Sequence, residues 1–369
     1  MRIGIDAHHV NGKPQGSRTY LIELIRALAL ISADEIFVYS FRPQETARIL
    51  GDSRLAHRRV FPDSARLRLP LVVPALELRD RLDLLHSQYI APPLSFAPQV
   101  VTIHDILFET DPHWFEGAFS TRSVRLIRRS ARRARIVLTV SEFSRRALLE
   151  RYGLPEEKVL VTPNAVDHET FRPMDTDLEP LRRRYGLDLP FVLSVGRIEP
   201  RKNLARLIRA FARARAKLGR DLTLVHAGAR DFRAKDVFEQ AEKLPSGRVK
   251  FLGVVPDEDL PGLYNLAEAL AYPSLAEGFG MPLLEAMACG TPVLSSTRGA
   301  LGEIAGDAAL WADPENEDEI ASGIEKIVSD VALRRNLRAA GRERAGHFDW
   351  RETARRTLAA YRKAARAEL

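Results

Sequence analysis

Short apolar runs alternate with amphipathic stretches along most of the chain. Residues 3–5, 36–39, 82–86, 100–103 and 136–140 are compact apolar runs of the kind a buried strand shows. Between the first two, Leu21, Leu24, Ile25 and Leu28 fall at i, i+3, i+4 and i+7, one face of a helix. Strand and helix signals that alternate in this way predict a parallel sheet with helices on both faces, because a parallel crossover needs a long return. The alternation pauses between Asp167 and Leu189, where Pro, Asp and Arg accumulate and no clean apolar run occurs. A second series follows, with strands expected at 191–195, 222–226, 249–252, 269–272, 293–295 and 309–311. Leu204, Leu207, Ile208, Phe211 and Leu218 mark a helix between the first two of these, and Gly219 is placed to stop it. The pattern predicts an α/β chain of two Rossmann-like domains, residues 1–168 and 169–349. A basic amphipathic helix over 350–369 follows, with Trp350, Ala354, Leu358, Tyr361 and Ala365 on one stripe.

Composition narrows the class. Of 369 residues, 45% are hydrophobic and 28% charged, enough to bury full cores and to exclude a disordered chain or a small disulfide scaffold. The one cysteine, Cys289, excludes an internal disulfide and a cysteine-based zinc site, and fits a reducing compartment. No apolar run approaches the roughly 18 residues a membrane helix needs. Residues 1–6 read as a first strand rather than a leader. These features predict a cytoplasmic protein. The net charge of +7 rests on 47 arginines and nine lysines. Arginine's planar fork suits phosphate, so phosphorylated substrates, nucleic acid and anionic membrane are the partner classes to weigh. Seven arginines and no acidic residue fall between 117 and 141, and Arg122, Arg125, Arg129 and Arg132 recur at helical spacing. Such a face can rest on anionic lipid, meet a phosphate group, or be solvated. No aromatic platform interleaves with it, which argues against nucleic acid.

Two clusters carry candidate chemistry. In Ser194-Val195-Gly196-Arg197-Ile198-Glu199-Pro200-Arg201-Lys202-Asn203-Leu204 a strand ends, a glycine opens the turn, and Asn203 is a suitable N-cap for the next helix. Arg197 and Lys202 then lie beside a helix N-terminus, whose free N–H groups attract anions, so a diphosphate suits the loop. A solvated basic turn would read the same way. The second cluster runs from Glu277 through Gly278, Phe279, Gly280, Met281 and Pro282 to Glu285, and on to Cys289-Gly290-Thr291-Pro292-Val293. Its glycines let backbone N–H groups approach a ligand, Pro282 fits the start of a helix, and Glu285 is expected in the first turn. Carboxylates accept hydrogen bonds from sugar hydroxyls. Cys289 reads as a small core residue. Asp175-Thr176-Asp177 follows no apolar strand and reads as loop rather than as a metal-binding pair.

Together these residues resemble retaining glycosyltransferase family 4, which has the GT-B fold, two Rossmann-like domains facing each other across a cleft. Val140-Ser141-Glu142-Phe143-Ser144, Pro163-Asn164-Ala165-Val166-Asp167 and the pair His104-Asp105 resemble further phrases of that family. The resemblance implies that Arg197 and Lys202 hold a donor diphosphate and that Glu285 accepts from the nucleotide ribose. It places Glu277 against the donor sugar, with the backbone at Gly278, Phe279, Gly280 and Met281 along sugar and phosphate. Val254 would pass the base, His104 would face the donor sugar, and Gly16 would approach the diphosphate. His8, His9, Arg122 and Arg125 are the acceptor-side candidates, and the final helix would pack back on the N-terminal domain. The implied reaction is retaining and metal-independent, with no cofactor. It moves a sugar, mannose from GDP-mannose in the narrower reading, from a nucleotide-sugar donor to a glycan or lipid-linked acceptor. The phrasing is most similar to bacterial mannosyltransferases of surface polysaccharide assembly, with contact at the inner face of an anionic membrane. A non-catalytic nucleotide-sugar-binding scaffold and a GT-B epimerase or phosphorylase are the other readings.

Overall fold

The computed structural model describes residues 1–12, 15–115, 120–230 and 234–366. It contains two compact units, Met1–Asn164 with the segment from Trp350 onward, and Ala165–Asp349. In the first unit seven parallel strands form one sheet: β1 (Arg2–Asp6), β2 (Glu35–Ser40), β3 (Ala56–Arg59), β4 (Leu84–Gln88), β5 (Gln99–Thr102), β6 (Ile136–Thr139) and β7 (Val159–Val161). Their order is β3-β2-β1-β4-β5-β6-β7, so the winding direction reverses between β1 and β4. In open α/β sheets the crevice outside the carboxyl ends of such a strand pair is where ligands bind. Ile5 sits between Val38 and His86 in register, which centres β1 in the sheet.

Two edge strands lie outside the runs expected from the sequence. Ala-His-Arg-Arg of β3 lies at a sheet edge and is only partly buried, so it needs no apolar run. β7, at the other edge, is three residues long. β4 begins two residues later than its apolar run suggests and ends on the buried polar pair Ser87 and Gln88. The helix Gly16–Ile31 buries Tyr20, Leu21, Leu24, Ile25 and Leu28. The final helix, Trp350–Arg366, belongs to this unit. His86 Nδ1 lies 2.6 Å from the Tyr361 hydroxyl, and Thr353 Oγ1 donates to the Pro163 carbonyl at 2.7 Å.

The second unit holds six parallel strands: β8 (Phe191–Val195), β9 (Thr223–Ala227), β10 (Val249–Gly253), β11 (Ala269–Tyr272), β12 (Val293–Ser295) and β13 (Leu310–Trp311). The order β10-β9-β8-β11-β12-β13 places the reversal between β8 and β11. The helix Leu204–Leu218 packs its buried Leu207, Ile208 and Phe211 with Ile320 and Ile324 of the helix Glu317–Ser329. Gly219 stops the first of these helices in the left-handed conformation. Asn203 precedes it, but not as a side-chain cap. Its backbone is left-handed, and its amide donates to the carbonyls of Pro273 at 3.0 Å and Pro314 at 2.6 Å. The amide therefore ties the loop after β8 to the loop after β11.

Gly228, just past β9, lies so close to the loop after β8 that a Cβ there would meet the Gly196 carbonyl oxygen at 1.8 Å. Gly228→Ala is expected to destabilise the second unit by about 1–3 kcal/mol or more, because the contact is backbone and cannot rotate away. Urea unfolding of the two proteins side by side checks it; an unchanged midpoint would refute the close approach.

Candidate active site

The loops that leave β8 and β11 converge at the reversal of the second sheet. After β8, a short 3-10 turn, Pro200–Lys202, brings Arg201 and Lys202 back toward the strand ends. After β11 the chain runs through Glu277 to the helix Met281–Ala288. Gly280 starts that helix at φ 103, and a Cβ there would lie 2.6 Å from Leu301, so only glycine fits.

Glu277 is the hub. Its Oε1 is 2.5 Å from Lys202 Nζ, its Oε2 is 2.7 Å from Arg201 Nη1, and the Tyr272 hydroxyl donates to Oε1 at 2.8 Å. Lys202 Nζ also donates to the Tyr272 hydroxyl. Arg201 reaches further, to Glu199 at 3.0 Å and the Ala276 carbonyl at 3.1 Å. Burial alone would raise the Glu277 pKa, but the Arg201 and Lys202 charges outweigh it and hold the carboxyl at about 2. Burial pushes the Lys202 ammonium down, opposed by Glu277. Lys202 spends two of its three protons on Glu277 and Tyr272. The third has no protein acceptor among the described residues and is free for an anion. Arg197 differs from Lys202: its side chain is 49% exposed and only 3.7 Å from Glu199. Three cations against Glu199 and Glu277 leave the cluster net positive. The first N–H groups of the helix Met281–Ala288, with the backbone at Phe279 and Gly280 before it, add donors without helix partners.

Glu285 lies in the second turn of its helix, not the first, because the helix begins only at Met281. Its Oε2 accepts from the Tyr264 hydroxyl at 2.7 Å. With no cation beside it, burial raises its pKa to about 7, despite the Tyr264 hydrogen bond. Val254 is exposed just past the edge strand β10. Phe279 is buried, its ring edge-on to Phe348. Gly278 precedes Phe279 and Gly280 in the loop, and Met281 opens the helix after them.

The remaining candidates belong to the first unit. His104 follows β5 and is buried. Its Nε2 is 2.9 Å from Gln88 Oε1, and its ring meets Tyr20 edge-on at 4.7 Å. Gln88 Nε2 faces the Ser17 carbonyl at 3.4 Å, which turns Oε1 to the histidine. His104 Nε2 therefore carries the proton, and Nδ1 keeps its lone pair. Burial, helped by His9 and His86, pushes the His104 pKa to about 3 and keeps the ring neutral. His8 and His9 follow β1 in a 3-10 turn, Gly16 starts the helix Gly16–Ile31, and Arg122 and Arg125 are exposed on the helix Thr121–Arg133. That basic face is partly engaged: Arg128 pairs with Glu109 at 2.6 Å. Of the run 117–141, residues 117–119 lie outside the described residues.

Arg201, Tyr272, Tyr264 and Gln88 are the partners that sequence reasoning missed. Arg201 stood in plain view beside Lys202; the tyrosines sit inside apolar runs and read as core. A second Asp-x-Asp triplet, Asp257-Glu258-Asp259, also passes unremarked in the sequence, and Asp259 is taken by Arg184 at 2.8 Å and the Tyr185 hydroxyl at 2.6 Å. Asp175–Asp177 is loop, as expected, since the residues around it form no strand. Among the described residues, no group of three or more His, Cys, Asp or Glu side chains could hold a metal ion. No described helix is long and apolar enough to cross a membrane.

A family model described as "Glycosyl transferases group 1" matches residues 179–344, and a second, "Glycosyltransferase Family 4", matches residues 14–170. The O-antigen chain mannosyltransferase B of Escherichia coli is 32% identical over 291 residues, 78% of this chain and 76% of that protein. The serotype-specific mannosyltransferase WbdA of Escherichia coli is 33% identical over 228 residues, which cover 60% of this chain and 28% of that protein. Sucrose-phosphate synthase from Thermosynechococcus elongatus shares the fold, with a TM-score of 0.77 over 98% of both chains and 21% identity.

The raised pKa of Glu285 has a stability consequence. A carboxyl whose folded pKa stands near 7 and unfolded value near 4.5 binds protons more tightly when folded. It therefore costs nothing below pH 4.5 and increasingly destabilises the fold up to pH 7, by on the order of 3 kcal/mol. Relative to wild type, Glu285→Gln is expected to gain stability steadily between those two pH values. Melting curves across the range check it; parallel curves would refute the burial effect.

Proposed function

We propose a specific reaction for this chain, which belongs to the glycosyltransferases of group 1 and family 4 and has their GT-B fold: transfer of mannose from GDP-mannose, with retention and without a metal ion, to a sugar hydroxyl of a surface polysaccharide or its lipid-linked precursor. The observation that carries the reading is the ionised, buried Glu277 gripped by Arg201 and Lys202 at the sheet's reversal point. Similarity to the O-antigen mannosyltransferase over 78% of the chain supports mannose as the sugar.

In this reading Lys202, through its remaining proton, and the exposed Arg197 meet the charge that grows on the leaving diphosphate. The N–H groups from Phe279 to Met281 add to them. The bond from the anomeric carbon to phosphate breaks while the acceptor oxygen bonds that carbon on the same face. The acceptor's proton passes to a phosphate oxygen of the leaving group, so no protein base is consumed. Glu277, acceptor-only when ionised, takes hydrogen bonds from hydroxyls of the donor sugar. The Glu285 oxygen not used by Tyr264 takes a ribose hydroxyl, and Val254 offers backbone to the base. Cytoplasmic work against the inner face of a membrane belongs to the same proposal; exposed Arg122, Arg125 and Arg129 around Leu126 support it.

Arg197→Ala and Lys202→Ala are each expected to cut turnover at least about a hundredfold, as loss of an oxyanion-type donor of about 2.7–4 kcal/mol implies. Arg197 is exposed, and in Lys202→Ala the carboxylate keeps Arg201, so both variants should stay folded by circular dichroism. Transfer of label from GDP-mannose to a mannose-terminated oligosaccharide, with and without EDTA, is the assay. Near-normal turnover in either variant sinks the cation assignment, and loss of activity in EDTA sinks the metal-free one.

A further inference from the structure

The side chains of Lys202, Glu277 and Tyr272 close a triangle, and Tyr272 is its only member carried on a strand. Tyr272 ends β11 and is 3% exposed. Its carbonyl accepts from the Ser295 hydroxyl of β12 at 3.0 Å and from the Ser274 amide at 2.9 Å, so the ring stands on a fixed strand end. Lys202 Nζ lies 2.5 Å from Glu277 Oε1 and donates to the Tyr272 hydroxyl, which is 2.8 Å from the same Oε1. Nζ also sits over the Tyr272 ring, 4.7 Å from its centre. The lysine stem runs beside Gly196, where a Cβ would meet Lys202 Cε at 3.5 Å.

The charges leave one way to place the protons. The Arg201 and Lys202 charges hold Glu277 at about 2 against burial, so Glu277 is acceptor-only and Lys202 beside it is a donor-only ammonium. Burial works against that ammonium and Glu277 supports it. Burial and the Glu277 charge push the Tyr272 phenol well above its usual range, so it keeps its single proton. That proton goes to Glu277, and the hydroxyl's lone pair takes one from Lys202. One contact, to Oε1, would leave the lysine stem free to swing about the carboxylate. Two contacts, with the ring beneath, leave Nζ one place. Its third N–H then has one direction, with no protein acceptor there among the described residues.

We propose that Tyr272 is a positioning residue: its hydroxyl, locked by Glu277, holds Lys202 so that the third N–H of the ammonium meets the terminal phosphate of a nucleoside diphosphate. The proposal rests on the diphosphate reading of this site, but on neither the sugar nor the base.

Nitrogen-15 NMR of the full chain, with the Lys202 Nζ signal assigned by its loss in Lys202→Met, reads the charge on Nζ. An ammonium is expected at neutral pH; a neutral amine overturns the proposal whatever the enzyme transfers. Tyr272→Phe keeps the ring under Nζ and removes only the hydroxyl, so the variant should stay folded by circular dichroism. Calorimetry with GDP and UDP, each against its monophosphate, then reads the aim of Lys202. For the base that binds, wild type should prefer the diphosphate. Tyr272→Phe should weaken the diphosphate about tenfold and the monophosphate by less than about twofold, the scale of one hydrogen bond to a charged group. Equal losses, no loss, or a wild type without the preference overturn the proposal. Lys202→Met should remove the preference by itself, and adding Tyr272→Phe to it should cost nothing more, because the hydroxyl acts through the ammonium. Losses that add in the double variant give Tyr272 a role apart from Lys202 and overturn the proposal as well. If the preference depends on Tyr272 yet wild type transfers no mannose, the reaction proposed above fails and this assignment survives.

Discussion

Everything in the second unit's site hangs on keeping one carboxylate charged where water cannot reach it. Glu277 is 7% exposed, and a lone ion there would take up a proton rather than stay charged. Arg201 and Lys202 reverse that balance, and each comes from the loop after β8 while Glu277 comes from the loop after β11. The ion pairs therefore also join the two loops that flank the reversal point. Pairs of this kind rarely add net stability over apolar packing, but removing one partner typically costs about 3–5 kcal/mol because the other charge is stranded. The arrangement is best understood as purchasing geometry: it sets two cations and an acceptor at fixed places before any ligand arrives.

The first unit repeats the logic with different residues. Asp6 and Arg68 form a buried carboxylate–guanidinium pair at the end of the central strand β1, as Glu277 and Arg201 do near β8 and β11. The outcomes differ because the third member differs. At Glu277 it is Lys202, so the cluster has cations to spare and suits a diphosphate. At Asp6 it is His8, whose Nδ1 lies 2.9 Å from both the carboxylate and the guanidinium. Two parallel sheets with the same kind of reversal thus each hold a buried carboxylate–guanidinium pair, completed by an ammonium in one and an imidazole in the other.

Much of this was legible in the residues. The buried strands showed as apolar runs because parallel strands are covered on both faces, and the loop glycines and Pro282 marked where strands give way to helices. The edge strand β3 was not, since Ala-His-Arg-Arg needs no apolar face where one side is open, and β7, Val-Leu-Val, is only three residues long. Arg197, Lys202, Glu277 and Glu285 were readable as charges near turns. Their inequality was not: nothing in the spacing says that Lys202 is locked to Glu277 while Arg197 stays exposed. Asn203 stood at a helix start and read as a cap, yet its left-handed backbone sends its amide to Pro273 and Pro314. Contacts between residues far apart in sequence have no signature in local pattern, and Asp6 with Arg68 is the clearest case.

Two glutamates eight residues apart show how far environment decides role. Glu277 faces two cations and is held at about 2; Glu285 accepts from a tyrosine hydroxyl but is raised by burial, and further by Asp257, to about 7. The first is an ion at every pH the cell meets. The second holds its proton part of the time, and a hydrogen bond from a ribose hydroxyl would favour its charged form. Ligand entry at Glu285 is then coupled to release of a proton, whereas entry at Glu277 is not. In the proposed reaction, one short segment so provides a permanent acceptor where charge must be organised in advance, and an adjustable one for the ribose diol.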